Sequence, residues 1–352
     1  MERYKERYTQ GKEIYVGIDL HKKSWHVTVI SEDTELYRGS IPGIWEALRS
    51  LLQRYKGSQV RVVYEAGCFG FWLYDHIVDW GADCVVTPPS LIPREYGNRV
   101  KTDRRDSRKL AHLLSKGLLK RVWVPSEEER YHRQVTRRRR QLIRDRTRVQ
   151  CRIKSDILCY GLYNPESQAK WSKAYVEKLH RICFNDYWMQ ESFEKLLNEY
   201  EFLSEQIYNQ TRLLNELSQT KRYKKHVKIL RSIHGIGMIS AMEILLELQD
   251  MSRFRRAGQI SAYLGLTPSQ YSSGEKIRMG RITGIGKSSL RGILIESSWI
   301  LIRKDGAMKR KYEQIKTRAG SKRAIVAIAR TLLLRIRRML LDNTEYAPGL
   351  IA

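Results

Sequence analysis

The chain has 352 residues, enough for two or three domains, and 42% of them are hydrophobic, enough to bury a core. Its formal net charge is +27 and its pI about 9.9, so the expected partner is a polyanion, nucleic acid first. No apolar run reaches the ~18 residues that span a bilayer, the N-terminus has no apolar signal segment, and the five cysteines include no C-x-x-C pair, so a reduced cytoplasmic protein is expected, with no membrane, zinc or disulfide site.

The first strong pattern is Ile14 to Asp19 (IYVGID), five apolar or small residues running into a carboxylate. Trp25 to Ile30 (WHVTVI) alternates with period two, as a strand does, and LHKKS between them suits a hairpin. Asp19 is therefore expected at the end of a buried strand, where it needs a cation. That cation is either Lys22 or Lys23 in a salt bridge, or a metal. Glu35 to Ser40 suggests a third strand. Trp45, Leu48, Leu51, Leu52 and Tyr55 give an amphipathic helix ended by Gly57. Val60 to Tyr64 is a second apolar strand running into an acid, Glu65. A helix from Phe71 to Trp80 and a strand from Asp83 to Thr87 follow. This order predicts a mixed α/β sheet with helices packed on it.

Lys101 to Gly117 (KTDRRDSRKLAHLLSKG) has the apolar face of a helix, and Asp103 and Asp106 share one face of its first turn. Acids there favour the helix dipole, which by itself explains a lone D-x-x-D. If the strand ends carrying Asp19 and Glu65 are adjacent, their carboxylates repel unless a cation is shared. Together the four acids suggest a site for Mg²⁺ or Mn²⁺ able to clamp a phosphoryl group. Lys101, Arg104, Arg105, Arg99 and Arg108 around it suit a nucleic-acid backbone.

GIDLHKKSWHVTV, YEAG and KTDRRDSRKLAHLL resemble the N-terminal RuvC-like (RNase H-like) domain of insertion-sequence transposases of the IS110 family, the DEDD recombinases guided by a bridge RNA. The family's four acids map onto Asp19, Glu65, Asp103 and Asp106. Many members have Thr-Gly after Glu-Ala where this chain has Gly67-Cys68, a difference of turn detail.

Arg130 to Lys154 carries eleven Lys or Arg and one acid, Asp145, with Arg137, Arg138, Arg139 and Arg140 in an unbroken run. Such one-sided charge on a helix repels itself without a polyanion, so RNA or DNA contact is expected there. Glu166 to Asp186 reads as a helix in an insertion. Leu196, Tyr200, Leu203, Ile207, Leu214 and Leu217 then follow a heptad spacing broken by Gln210, as in a coiled-coil arm. Its partner is either the basic helix before it or another subunit.

Ile229 to Leu248 has a Gly235-Ile236-Gly237 turn between apolar runs, a helix-hairpin-helix-like pattern or a plain turn. A Gly- and Ser-rich stretch with Lys276, Arg278, Arg281, Lys287 and Arg291 reads as a flexible cationic loop before a helix starting near Ser288. Nothing local selects one serine as a nucleophile. The resemblance does: GIG, then A-Y-L-G-L-T-P and S-G-x-x-x-x-x-G-x-I, are similar to the family's C-terminal transposase domain, whose nucleophilic serine falls on Ser273, with Ser272 beside it. Ala324 to Leu341 is expected to be the last packing helix, and the tail after Asp342 to be disordered.

The expected organisation is a RuvC-like α/β domain over 1–125, a basic helical coiled-coil linker over 126–226, a mostly α C-terminal domain over 227–342, and a tail. The leading functional reading is a site-specific recombinase of a mobile element. As the resemblance implies, Mg²⁺ assists Ser273 in forming a covalent phosphoserine–DNA link, and the partners are donor and target double-stranded DNA, a bridge RNA and further copies in a dimer-of-dimers tetramer. The alternatives are a RuvC-like structure-specific endonuclease using water, which never links to DNA, and a non-catalytic nucleic-acid-binding protein, which is indifferent to Mg²⁺.

Overall fold

A computed structural model describes residues 9–93, 103–162, 171–271, 273 and 278–349, the side chains of Asp103 and Arg104 excepted. The chain divides into two compact units, Met1–Val124 and Pro125–Ala352.

The first unit is built on a five-stranded mixed sheet: β1 (Glu13–Leu20), β2 (Ser24–Ser31), β3 (Thr34–Pro42), β4 (Gln59–Glu65) and β5 (Asp83–Thr87), in the order β3-β2-β1-β4-β5. β1 pairs antiparallel with β2 and parallel with β4. Alternation along the strands sorts residues onto two faces. Ile14, Val16, Ile18, Val27 and Val62 face helices α1 (Trp45–Gln53) and α2 (Trp72–Asp79), packing on Leu48, Leu52, Leu73 and Ile77. Tyr15, Val63 and Val85 face α3 (Asp103–Ser115) through Leu110, Ala111 and Leu114.

The second unit is helical. α4 (Glu127–Cys159) starts at a capping box between Ser126 and Glu129. It packs on α6 (Tyr187–Gln219), with the short α5 (Lys173–His180) alongside. Contacts of Arg139 with Thr211 and Arg146 with Ser204 make the long pair antiparallel, so the partner of α6 lies in the same chain. Its buried positions are Phe193, Leu197, Tyr200, Leu203, Ile207, Leu214 and Ser218. The expected seam is thus one residue out at both ends, where Leu196 and Leu217 are only half-buried. Of the expected helix over Glu166 to Asp186, Lys173–His180 forms α5, and residues 166–170 lie outside the described ones.

α7 (Lys224–Arg231), α8 (Met238–Leu248), α9 (Ala257–Tyr263), α10 (Ser288–Lys304), α11 (Gly306–Ala319) and α12 (Ser321–Asp342) share one core. Gly235, with φ +95°, lies against α10: a Cβ there would stand 2.9 Å from the carbonyl oxygen of Ser297, whose hydroxyl donates to the Gly235 carbonyl. Its role in the fold is therefore close packing.

Two further expectations change. Instead of a loop, the Gly- and Ser-rich stretch contains a ribbon of β6 (Pro268–Gln270) and β7 (Met279–Ile282), extended by a bond from Tyr271 N–H to the Arg278 carbonyl. The tail is docked through Tyr346, whose hydroxyl meets the buried Asp305 and Arg335, while its N–H donates to Ser232 Oγ at 2.8 Å. Among the described residues, no helix is long and apolar enough to cross a membrane.

Candidate active site

Asp19 and Glu65 end neighbouring parallel strands. Ile18 pairs with Tyr64, so the two acids come next on strands roughly 4.8 Å apart. By alternation with Tyr15, Gly17 and Val63, both belong to the sheet face covered by α3. Asp19 is half-buried, with His21 Nε2 at 3.3 Å from its Oδ2.

Gly17 is the residue that sequence reasoning passed over. A Cβ at this position would stand 2.1 Å from the Ser107 carbonyl oxygen and 2.5 Å from Ala111 N. The helix thus lies directly on the strand, which only glycine permits. Ser107 is itself buried, and its hydroxyl is 2.9 Å from that of Thr28, the residue paired with Gly17. One end of α3 is fixed by Lys116, 2.9 Å from Asp33 at the β2–β3 turn, beside the start of β1. α3 therefore runs antiparallel to β1, and its first turn lies at the strand end that carries Asp19 and Glu65. Asp103 opens that turn and Asp106, half-buried, follows one turn later. The signal for this was a glycine inside a strand and a small residue after D-x-x-D.

The donor set is all carboxylate oxygen, which fits a hard divalent cation. Among the described residues, no three His, Cys, Asp or Glu side chains gather closely enough to hold a metal. The fourth acid, Asp103, has its side chain outside them, as does Arg104, and Lys101 lies wholly outside. Arg105 is exposed on α3.

In the second unit, Ser273 is exposed beyond the ribbon strand β6. Ser272 and Lys276 lie outside the described residues, while Arg278 and Arg281 are exposed on the ribbon. The base of the ribbon is closed by two glycines with positive φ. Side chains at Gly265 and Gly286 would collide with the backbone of Ile285 and Tyr263. Arg291 donates from Nη1 to the carbonyls of Leu264, Ile285 and Gly286 at 2.9, 3.1 and 3.4 Å. The stem is thus pinned while Ser273 remains accessible.

The arginine run finds internal partners. Glu247 on α8 is 1% exposed in its side chain and accepts from Arg137 at 3.2 and 3.3 Å, Arg140 at 3.0 Å and Lys287 at 3.3 Å. Arg133 lies 3.8 Å from it, and Arg140 Nε lies 3.7 Å from Glu243. Arg140 also donates to Ser289 at the start of α10, and Arg139 to Thr211 at 2.8 Å. Burial pushes Glu247 up, but the hydrogen bond from Arg137 and the charges of Arg137, Lys287 and Arg133 together hold it below the usual carboxylate range. Burial lifts Glu243 above that range against the charges of Arg140 and Arg139. The self-repulsion expected of the run is thus relieved by acids more than 100 residues downstream. Arg138 is exposed.

The first unit is a mixed sheet with acids at one end and the second is helical, and comparison with known proteins supplies the family. A DEDD transposase model of the IS110 group matches residues 16–158, and the Transposase IS116/IS110/IS902 family model matches residues 227–313. The chain is 30% identical over 336 residues to the putative transposase y4qE of Sinorhizobium fredii, covering 94% of this chain and 82% of that one. It is 26% identical over 250 residues to the transposase for insertion sequence element IS1533 of Leptospira borgpetersenii, covering 68% and 70%. It is 24% identical over 354 residues to the pilin gene-inverting protein of Moraxella bovis, covering 94% and 97%. The chain belongs to the IS110/IS116 family of insertion-sequence transposases. A DEDD domain points to dependence on a divalent metal.

Proposed function

We propose that this transposase cuts and rejoins DNA through a covalent link to Ser273, with Asp19, Glu65, Asp103 and Asp106 of a RuvC-like domain holding Mg²⁺ or Mn²⁺. The observation that carries this reading is the antiparallel seating of α3 on Gly17, which brings the D-x-x-D turn to the strand end bearing Asp19 and Glu65. When bound, such a cation would supply positive charge to the phosphate oxygens. The carboxylates hold it, and the ribbon presents Ser273. The serine oxygen bonds to phosphorus and loses its proton, while the departing DNA oxygen breaks from phosphorus and gains one. A hydroxyl of a second DNA end then displaces the serine, so no strand is left hydrolysed. The relative named for gene inversion supports this, since inversion requires cutting and rejoining.

Donor and target double-stranded DNA, a bridge RNA and assembly as a dimer of dimers complete the reading. Its support is the family and the net charge of +27.

The test is purification from the native host, sequencing of bound RNA, and incubation with plasmid carrying the gene's flanks and Mg²⁺. Denaturing gels should show protein-linked DNA that disappears with Ser273→Ala, Asp106→Asn or chelation, and the RNA should map beside the gene. Free nicked ends with no adduct would favour a water-using nuclease. Activity indifferent to chelation would remove the metal site.

A further inference from the structure

The end of the sheet that carries the acids also carries a row of aromatic rings on the opposite face. Trp25, at the start of β2, is 1% exposed and belongs to the core. Trp72 lies 5.9 Å from it, His76 lies 5.7 Å from Trp72 edge-on, and Trp45 stacks on His76 at 5.2 Å with the rings 13° apart. Exposure is highest in the middle of the row: Trp72 is 40% exposed and His76 is exposed, while Trp25 is buried and Trp45 half-buried. A row serving only the core would be covered. This one is held at both ends and open at Trp72 and His76 between them.

Its position follows from the strands. β1 ends where β2 begins, β3 ends beside the same hairpin, and β4 ends at Glu65. α1 and α2 start just after β3 and β4, so Trp45 and Trp72, the first residues of those helices, stand at the acid-bearing end. The hairpin carries the exposed Lys22 and Lys23 and is tied to the start of α1 by a 3.0 Å bond from Gly43 N–H to the Lys23 carbonyl.

We propose that Trp72, His76 and Trp45 form a stacking platform for an unpaired nucleobase of the strand whose phosphate lies over the acids. The proposal rests on the reading above, which supplies the strand. A flat π-face is the chemistry that exposed indole and imidazole rings recognise, and it is available only in unpaired nucleotides. Glu46 and Asp75 also flank the rings, so the mixed local charge favours stacking over a phosphate clamp. Lys22 and Lys23 supply the adjoining backbone contact.

The experiment uses the full chain in EDTA, so that cutting plays no part. Affinity is measured for an oligothymidylate and for an abasic oligonucleotide of the same length and charge, across a salt series. The native protein should prefer the thymidylate. Trp72→Ala should weaken thymidylate binding by roughly 5- to 100-fold, leave the abasic strand unaffected and keep the salt slope. Trp72→Phe should retain the preference. His76→Ala should reduce it, and keeps the test open if Trp72→Ala lowers the melting temperature.

Equal native affinity for both strands would overturn the proposal, as would an equal loss on both in Trp72→Ala. A change in sedimentation of Trp72→Ala with its base preference intact would mean that the rings meet protein instead. Asp106→Asn should keep the preference whatever becomes of catalysis, which separates failure of the platform from failure of the proposed reaction.

Discussion

The Ser107 carbonyl oxygen lies 2.1 Å from the position a Cβ of Gly17 would take. The strand and the helix are in backbone contact there, and one methyl group cannot be added without moving one of them. Gly17→Ala should therefore destabilise the first unit by about 1–3 kcal/mol, the usual cost of overpacking. It should also lower DNA cutting more than nucleic-acid binding, because the displaced turn carries Asp103 and Asp106. Chemical denaturation and adduct yield at saturating DNA check the two halves.

The arginine run should divide into structural and binding members. Arg138→Ala should leave stability unchanged, weaken nucleic-acid binding and reduce the log–log salt slope by about one. Arg137→Ala should instead lower the melting temperature. Glu247→Gln should cost most, about 3–5 kcal/mol, because it leaves several half-buried cations without their shared acid. Equal effects of Arg137→Ala and Arg138→Ala on the salt slope would put the whole run on the nucleic acid.

Asp305 gives the second unit an acid limb in its stability. Burial opposes its charge, but hydrogen bonds from Tyr346 and from the N–H groups of Met308, Ala307 and Gly349 together hold its carboxyl below the usual range. A depressed folded value stabilises fully above the unfolded carboxylate range, about pH 4. That stabilisation is lost as pH falls through the folded value. The stability gap between the native protein and Asp305→Asn should be widest near neutrality and close below about pH 4. Denaturant midpoints at a series of pH values measure it.

The docked tail should contribute through the same carboxylate. Truncation after Asp342 removes Tyr346 and the Lys228–Glu345 ion pair, leaving Asp305 and Arg335 with a lost partner. Tyr346→Phe should reproduce most of the loss in melting temperature if the hydroxyl is the main tie.

What the sequence disclosed is what repeats locally. Period-two alternation located β2, short strand-like runs located the other four strands of the first sheet and put Asp19 and Glu65 at strand ends, and the apolar spacing of α3 put Asp103 and Asp106 in its first turn. Three things lay beyond it. The contact of Gly17 with Ser107 joins positions 90 residues apart, visible only as two small residues in unremarked places. The arginine run looked unpaired because Glu243 and Glu247 sit more than 100 residues downstream, in a segment that reads as apolar. β6 and β7 are too short, at three and four residues, for any period to register, and the ribbon is held by glycine crossings and Arg291 at its stem.

The partnership of Arg137 and Arg140 with Glu247 also sets an order of assembly. Ribosomes deliver the cations first, and domains tend to form from the N-terminus as they emerge. Until α8 has left the exit tunnel, α4 is complete yet still lacks its neutralising carboxylates. A nascent chain halted in that interval would be far more adhesive toward polyanions than the finished protein, and release of the remaining residues would quench that adhesiveness from within.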